Sequence, residues 1–154
     1  MQVERKGNEL TIRHVLQAPR ALVFKVWTDP KHLAQWWGPK GFTNPVCEVD
    51  LRPGGAIRIH MRGPDGTVYP MLGEYSEVVE PERLVFVSSA LDKDGHPLFE
   101  VVTTITFAEM GASTKLTMHA SASKIKPEGK QHVEGMEEGW KQSIARLDEY
   151  VTRI

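Results

Sequence analysis

The sequence predicts an α+β fold. An antiparallel sheet of about seven strands curls around one long C-terminal helix, and two short helices follow the first strand. Three observations carry this reading. Between residues 127 and 154 the apolar positions Val133, Met136, Trp140, Ile144, Leu147, Val151 and Ile154 recur at steps of three or four, which places them on one helical face. From residue 46 onward the apolar period falls to two, and turn signals interrupt it at short intervals. In between, Pro19, Asp29-Pro30 and Gly38-Pro39 mark out two short helical stretches.

The elements follow in order. Glu9 to Leu16 alternates Leu10 and Ile12 with polar residues and reads as a first strand. Pro19 can open a helix, whose apolar side is Leu22, Val23, Val26 and Trp27. Asp29 suits an N-cap and Pro30 a first helical position, so a second helix carries Leu33, Trp36 and Trp37 until Gly38 stops it. Val46 to Leu51 is a short strand, and Arg52-Pro53-Gly54-Gly55 turns it. Ala56 to Arg62 places Ile57, Ile59 and Met61 on one side. Pro64-Asp65-Gly66 is a hairpin signal, and Thr67 to Val79 returns. Arg83 to Leu91, Leu98 to Ala108 and Ser113 to Ser121 are the remaining strands. Short turns between successive strands make neighbours antiparallel.

An unbroken helix from Pro127 to Ile154 would be about 40 Å long, at ~1.5 Å per residue. One apolar stripe of that length needs one large partner, which the twisted sheet supplies. Ile57, Ile59, Met61, Val101, Thr103, Ile105, Phe107, Leu116 and Met118 are the candidates for its concave face. In the strand at 67–79, Tyr69/Met71/Gly73/Tyr75 and Val68/Pro70/Leu72 compete to point inward. Ser121 to Lys130 reads as the most flexible connection.

Composition bounds the function. The 154 residues suit a single domain, 1–154, with 40% apolar and 25% charged residues. The net charge of −1 and the lack of a basic cluster argue against a nucleic-acid partner. No apolar run reaches the length of a membrane span, and the N-terminus lacks the apolar stretch of a signal peptide, so a cytoplasmic protein is expected. Cys47 is the only cysteine, which excludes an internal disulfide. No two histidines stand at a familiar ligand spacing, and no phosphate-binding glycine loop occurs, so neither metal nor cofactor is expected.

An ordered set of short motifs spans nearly the whole chain. It comprises Ala18-Pro19, Val23-Phe24, Trp27-Thr28-Asp29-Pro30, Trp36-Trp37-Gly38-Pro39, Asp50-Leu51-Arg52-Pro53-Gly54-Gly55 and Gly63-Pro64-Asp65-Gly66. Gly73-Glu74-Tyr75, Pro81-Glu82-Arg83-Leu84-Val85-Phe86, Thr104-Ile105-Thr106-Phe107 and Gly139-Trp140 complete it. In this set the chain resembles the family related to the C-terminal domain of the activator of Hsp90 ATPase, within the START-like (SRPBCC) ligand-binding superfamily. The resemblance implies a helix-grip fold with a cavity between sheet and helix. It does not imply one reaction, since the superfamily includes lipid carriers, hormone receptors, oxygenase subunits and polyketide cyclases. In the eukaryotic activator a separate N-terminal domain supplies much of the chaperone contact. Nothing precedes the single domain here, so a chaperone partner is not expected.

The candidate ligand-binding residues are Trp36, Trp37, Met61, Met71, Phe86, Val101, Met136 and Trp140. Adjacent helical residues point ~100° apart, so of Trp36 and Trp37 one should face the core and the other the cavity mouth. Met61, Met71 and Met136 offer adaptable, polarisable surface, or else plain core. Gly135 and Gly139 each cost ~1 kcal/mol against alanine within a helix. That cost implies either a close backbone approach or space kept free beside Trp140. Cys47 reads as a buried, inert thiol.

The first functional expectation is a binding protein for a small apolar or aromatic ligand. The alternative is a cyclase- or hydrolase-type enzyme using the same cavity, which needs an inward Glu74, Tyr75, Glu77 or Glu100 with a shifted pKa. A second alternative is an Hsp90 co-chaperone-like interaction module, which needs an exposed apolar patch elsewhere.

Overall fold

The computed structural model describes residues 1–154. It opens with a hairpin: β1 (Gln2–Lys6) pairs with β2 (Glu9–Leu16) across Gly7-Asn8, with Lys6 opposite Glu9. The sheet therefore has eight strands rather than seven. In β1 only Val3 packs against the core, so the segment QVERK shows no period-two pattern, and the two-residue turn is its one signal.

Pro19 precedes α1 (Arg20–Thr28), which buries Val23, Phe24, Val26 and Trp27. In α2 (Pro30–Trp36) the Asp29 carboxylate accepts from the Lys31 N–H at 2.9 Å, and Pro30 fills the first turn. The helix ends at Trp36. Trp37 is already extended (φ −61, ψ 134), and Gly38 takes φ +95, which favours glycine.

Six strands then form a meander: β3 (Thr43–Val49), β4 (Ala56–Arg62), β5 (Val68–Val79), β6 (Arg83–Ala90), β7 (Glu100–Met110) and β8 (Ser113–Ser123). The strand order is β1-β2-β8-β7-β6-β5-β4-β3, all antiparallel. The N-terminal hairpin thus extends the sheet beyond β8, with Ile12 opposite Met118. β3 begins before the expected Val46 and is irregular between Thr43 and Val46. Pro45 lies there and has no N–H for the ladder. A Cβ at Gly55 would stand 1.8 Å from the Asp50 carbonyl oxygen, so the turn before β4 requires glycine.

The concave face is as the alternation predicts. Ile57, Ile59, Val101, Thr103, Ile105, Phe107, Leu116 and Met118 are buried, and Met61 is half-buried. β5 turns Tyr75 inward at 3% exposure and Leu72 outward at 47%, which decides the face left open by the sequence.

The long helix is interrupted. A 3-10 turn (Pro127–Gly129) leads into α3 (Lys130–Glu134), Gly135 breaks the helix, and α4 (Met136–Arg153) follows. The 18 residues of α4 make it about 27 Å long. Two causes act at the break. Gly135 is a poor helix former, and Arg5 of β1 donates to the carbonyls of Val133 (2.9 Å) and Glu134 (3.1 Å), which caps α3. The expected flexible connection is tied down as well. The Lys126 N–H donates to Leu98 O at 2.9 Å, and a Cβ at Gly129 would stand 2.6 Å from the same oxygen.

α4 buries Ile144, Leu147, Tyr150 and Val151 against the sheet and the short helices. Two polar contacts fix its rotation: His32 Nδ1 to the Tyr150 hydroxyl and His14 Nε2 to Asp148 Oδ2, both at 2.6 Å. Ile154 lies past the end of α4 and is 50% exposed, so the buried stripe stops at Val151.

Candidate functional site: an apolar cleft under the broken helix

Between the sheet and the α3–α4 segment lies a cleft of about 640 Å3. Its sheet wall comes from Met61 on β4, Tyr69 and Met71 on β5, Phe86 and Ser88 on β6, and Val101 and Thr103 on β7. Its helix wall is His132, Val133, Gly135, Met136, Gly139 and Trp140. The 37–42 turn closes one side with Trp37, Gly38, Pro39 and Phe42. Trp37, Met61, Met71, Phe86, Val101, Met136 and Trp140, singled out from sequence, therefore share one cavity.

Trp36 does not share it, and that expectation is corrected. Its ring is fully buried, and its Nε1–H donates to Val26 O at 3.0 Å. The two neighbours diverge because the backbone leaves the helix between them. Trp36 stays on the buried face of α2, while the extended Trp37 swings its ring to the cleft. Trp27 links the two regions. Its ring meets Trp36 edge-on at 4.6 Å and stacks with Trp140 at 6.1 Å. Trp140 in turn meets Trp37 edge-on at 5.3 Å. Such pairs add roughly 0.5–1.5 kcal/mol each beyond their burial, so this wall is rigid.

Gly135 at the break and Gly139 inside α4 both line the cleft and are not forced by close approach. A Cβ at Gly139 would meet only Pro39 Cγ, at 3.9 Å, and one at Gly135 would meet only helix carbonyls, at 3.6 Å or more. Both positions leave space beside Met136 and Trp140.

No Asp, Glu, Lys or Arg lines the cleft. Glu74, Glu77 and Glu100, the carboxylates considered for acid–base chemistry, lie off its wall; Glu77 pairs with Arg83 and Glu100 with Lys124. Tyr75 is buried in the core, and burial pushes its phenol pKa up. Cys47 on β3 is half-buried, and burial, with the Glu48 charge beside it, pushes its thiol up to about 11. It is a protonated thiol at neutral pH. The ligand atoms of Asp92, Asp94 and His96 lie within 4.8 Å of one another in the β6–β7 loop. There Asp92 Oδ1 accepts from the N–H groups of Asp94 and His96, which is turn chemistry.

Sequence reasoning did not assign Phe42, Phe99 and His132 to the site. Phe42 lies in a turn, where periodicity carries no signal. Phe99 falls within the strand expected from Leu98 but precedes β7, which starts only at Glu100, and His132 is in the short α3, off the apolar stripe. Arg146 lies off the apolar stripe of the C-terminal helix, so the pattern gives it no role. Its guanidinium donates to the carbonyls of Trp37, Gly38 and Pro39 and holds the 37–42 turn against α4.

A curled antiparallel sheet gripping a C-terminal helix over an apolar cleft defines a helix-grip domain of the START-like kind. Residues 17–152 match the family described as "Activator of Hsp90 ATPase homolog 1-like protein". The chain belongs to that family. Among solved structures it is similar to a protein from Arthrobacter aurescens, with a TM-score of 0.86 and 25% identity over 99% of this chain and 92% of that one. A Nitrosomonas europaea protein superposes with a TM-score of 0.80, at 31% identity over 97% of each chain. A Mycobacterium smegmatis protein does so with a TM-score of 0.83, at 30% identity over 100% of this chain and 98% of that one. No curated protein matches the chain. No helix is long and apolar enough to cross a membrane.

Proposed function

We propose that this protein binds a small apolar or aromatic molecule in the cleft between its sheet and its C-terminal helix. The observation that carries the proposal is the cleft itself: about 640 Å3 beside Trp37, Trp140, Phe86 and three methionines, with no charged side chain on its wall. That volume suits a drug-sized ligand. Methionine side chains can repack around varied shapes, and the space beside Gly139, inside α4, is held at a cost in helix propensity. The enzyme alternative gains no support, because none of Glu74, Tyr75, Glu77 and Glu100 lines the cleft. The interaction-module alternative needs a continuous apolar patch. On the outer sheet face Glu74, Ser89, Thr104 and His119 stand among Leu72, Val87 and Val102.

Native mass spectrometry of freshly purified protein tests the proposal. The expected result is a bound molecule of defined mass that is absent from the Gly139→Leu variant, in which a branched side chain occupies the space beside Trp140. Retention of that molecule by the variant would place it elsewhere and end the proposal.

A further inference from the structure

The two ends of the cleft differ in chemistry. The inner end is Trp37, Trp140 and Phe86, whose rings are 5.3 and 6.5 Å from Trp37 to its two neighbours. The rim is a second aromatic series drawn from four separate segments. Phe42 and Tyr69 lie 5.9 Å apart, Tyr69 and His132 6.3 Å, and His132 and Phe99 6.1 Å. Met61 stands opposite Tyr69 in the β4–β5 register, which continues an apolar floor from rim to interior.

Within the rim only Tyr69 and His132 carry heteroatoms. Several such groups elsewhere in the molecule are engaged: His14 with Asp148, His32 with the Tyr150 hydroxyl, and His119 with Glu9. The Tyr69 hydroxyl and the His132 imidazole make no hydrogen bond to any protein group, although both line the cleft. A phenol donates and accepts, and a neutral imidazole does both through its two nitrogens. Together they can donate to a carbonyl, or both donate to and accept from a hydroxyl. As neutral groups they cannot compensate a buried charge, and no Lys, Arg, Asp or Glu is on the wall to do so.

We infer that the ligand is an uncharged aromatic molecule with one hydroxyl or carbonyl, and that Tyr69 and His132 select it by hydrogen bonding at the rim while its ring system lies against Trp37 and Trp140. This inference rests on the proposed binding function and narrows it to a ligand class.

Four probes of one shape test it: pyrene, 1-hydroxypyrene, 1-pyrenecarboxylate and 1-pyrenemethylammonium, titrated by fluorescence at one fixed pH into the intact protein and into the Tyr69→Phe/His132→Phe variant. The expected order places 1-hydroxypyrene about tenfold tighter than pyrene, the effect of one well-made hydrogen bond, with both charged probes weakest. In the variant, pyrene should bind as before and 1-hydroxypyrene should fall to within about twofold of it. A variant that merely disturbs the fold would weaken pyrene too, and circular dichroism and the pyrene control separate that case. Three results overturn the inference while leaving the binding function intact. They are no preference for 1-hydroxypyrene over pyrene, a charged probe binding as tightly as 1-hydroxypyrene, and a preference that survives in the variant, which would assign it to the other polar wall residues, Ser88, Thr103, Gln131 and Ser143. Failure of all four probes to bind removes the binding function and the inference together.

Discussion

Arg146 Nη1 lies 2.9 Å from the carbonyl oxygen of Gly38, so a side chain of α4 caps the end of α2. The same nitrogen reaches Trp37 O at 3.1 Å and Pro39 O at 3.0 Å, while Nη2 reaches Gln35 O at 3.3 Å. From the other side, Asn44 of β3 donates to Ala34 O and Trp37 O. The helix end beside the cleft is therefore held by two distant elements. Burial lowers the pKa of Arg146 from its ordinary value. An arginine so placed still stays charged, and charged donors make the stronger hydrogen bonds.

Replacing that cap should cost stability and loosen Trp37. Arg146→Ala is expected to lose about 2 kcal/mol, the range for hydrogen bonds from a charged group, and to shift tryptophan emission to the red as Trp37 gains water. Arg146→Lys should recover only part, since an ammonium cannot span carbonyls on both guanidinium nitrogens. Urea melts with emission spectra read both effects, and an Arg146→Ala protein as stable as the parent would remove the capping role.

The glycines separate into two kinds. Gly139→Ala should stabilise the fold by up to ~1 kcal/mol, because alanine is the better helix former and its methyl meets only Pro39. Gly129→Ala should destabilise it by about 1–3 kcal/mol, because its methyl would collide with the Leu98 carbonyl. Thermal melts of the pair check the contrast; equal shifts of one sign would contradict it.

Adjacent tryptophans should behave differently. Trp36→Phe leaves Val26 O without its donor and leaves a void in the core. It should cost about 2–4 kcal/mol and leave pyrene affinity unchanged. Trp37→Ala removes a cleft wall and should weaken pyrene at least tenfold, while the fold persists. If both variants changed binding alike, the division between core and cleft would be wrong.

Alkaline pH should weaken the fold through Cys47. Its thiol titrates near 9.0 when exposed and near 11 in the folded protein. Between those values the unfolded chain has released a proton that the folded chain retains, so stability falls as pH rises through this window. Tyr75 acts in the same direction from its ordinary 10.0 upward. Urea melts at a series of pH values should therefore show a decline that is shallower in Cys47→Ala between pH 9 and 11. Iodoacetamide at pH 8 should alkylate Cys47 slowly when folded and rapidly in urea.

Much of the architecture was legible because each element has its own local signal. Asp29-Pro30 both ends α1 and begins α2, the alternation of Ile57, Ile59 and Met61 names an inward face, and Gly38 marks a stop. β1 was not legible, because its only inward apolar residue is Val3 and its value lies in Arg5, which reaches a helix 128 residues away. Seven of the residues chosen from the sequence line one cleft, whereas Trp36 does not. Residue type made the pair conspicuous, but the point where the backbone leaves α2 separated them.

By itself the sequence determined the fold class, the order of elements and the inward face of most strands, because periodicity and turn chemistry are local and repeat along the chain. Only the tertiary structure decided that the C-terminal helix breaks at Gly135, that Trp37 rather than Trp36 faces the cleft, and that Phe42, Tyr69, Phe99 and His132 form its rim. Those outcomes depend on contacts such as Arg5 with Val133, or Arg146 with Gly38, made between residues far apart in the chain. Their energies are set by burial and by where a partner carbonyl lies in space, and no local pattern encodes either.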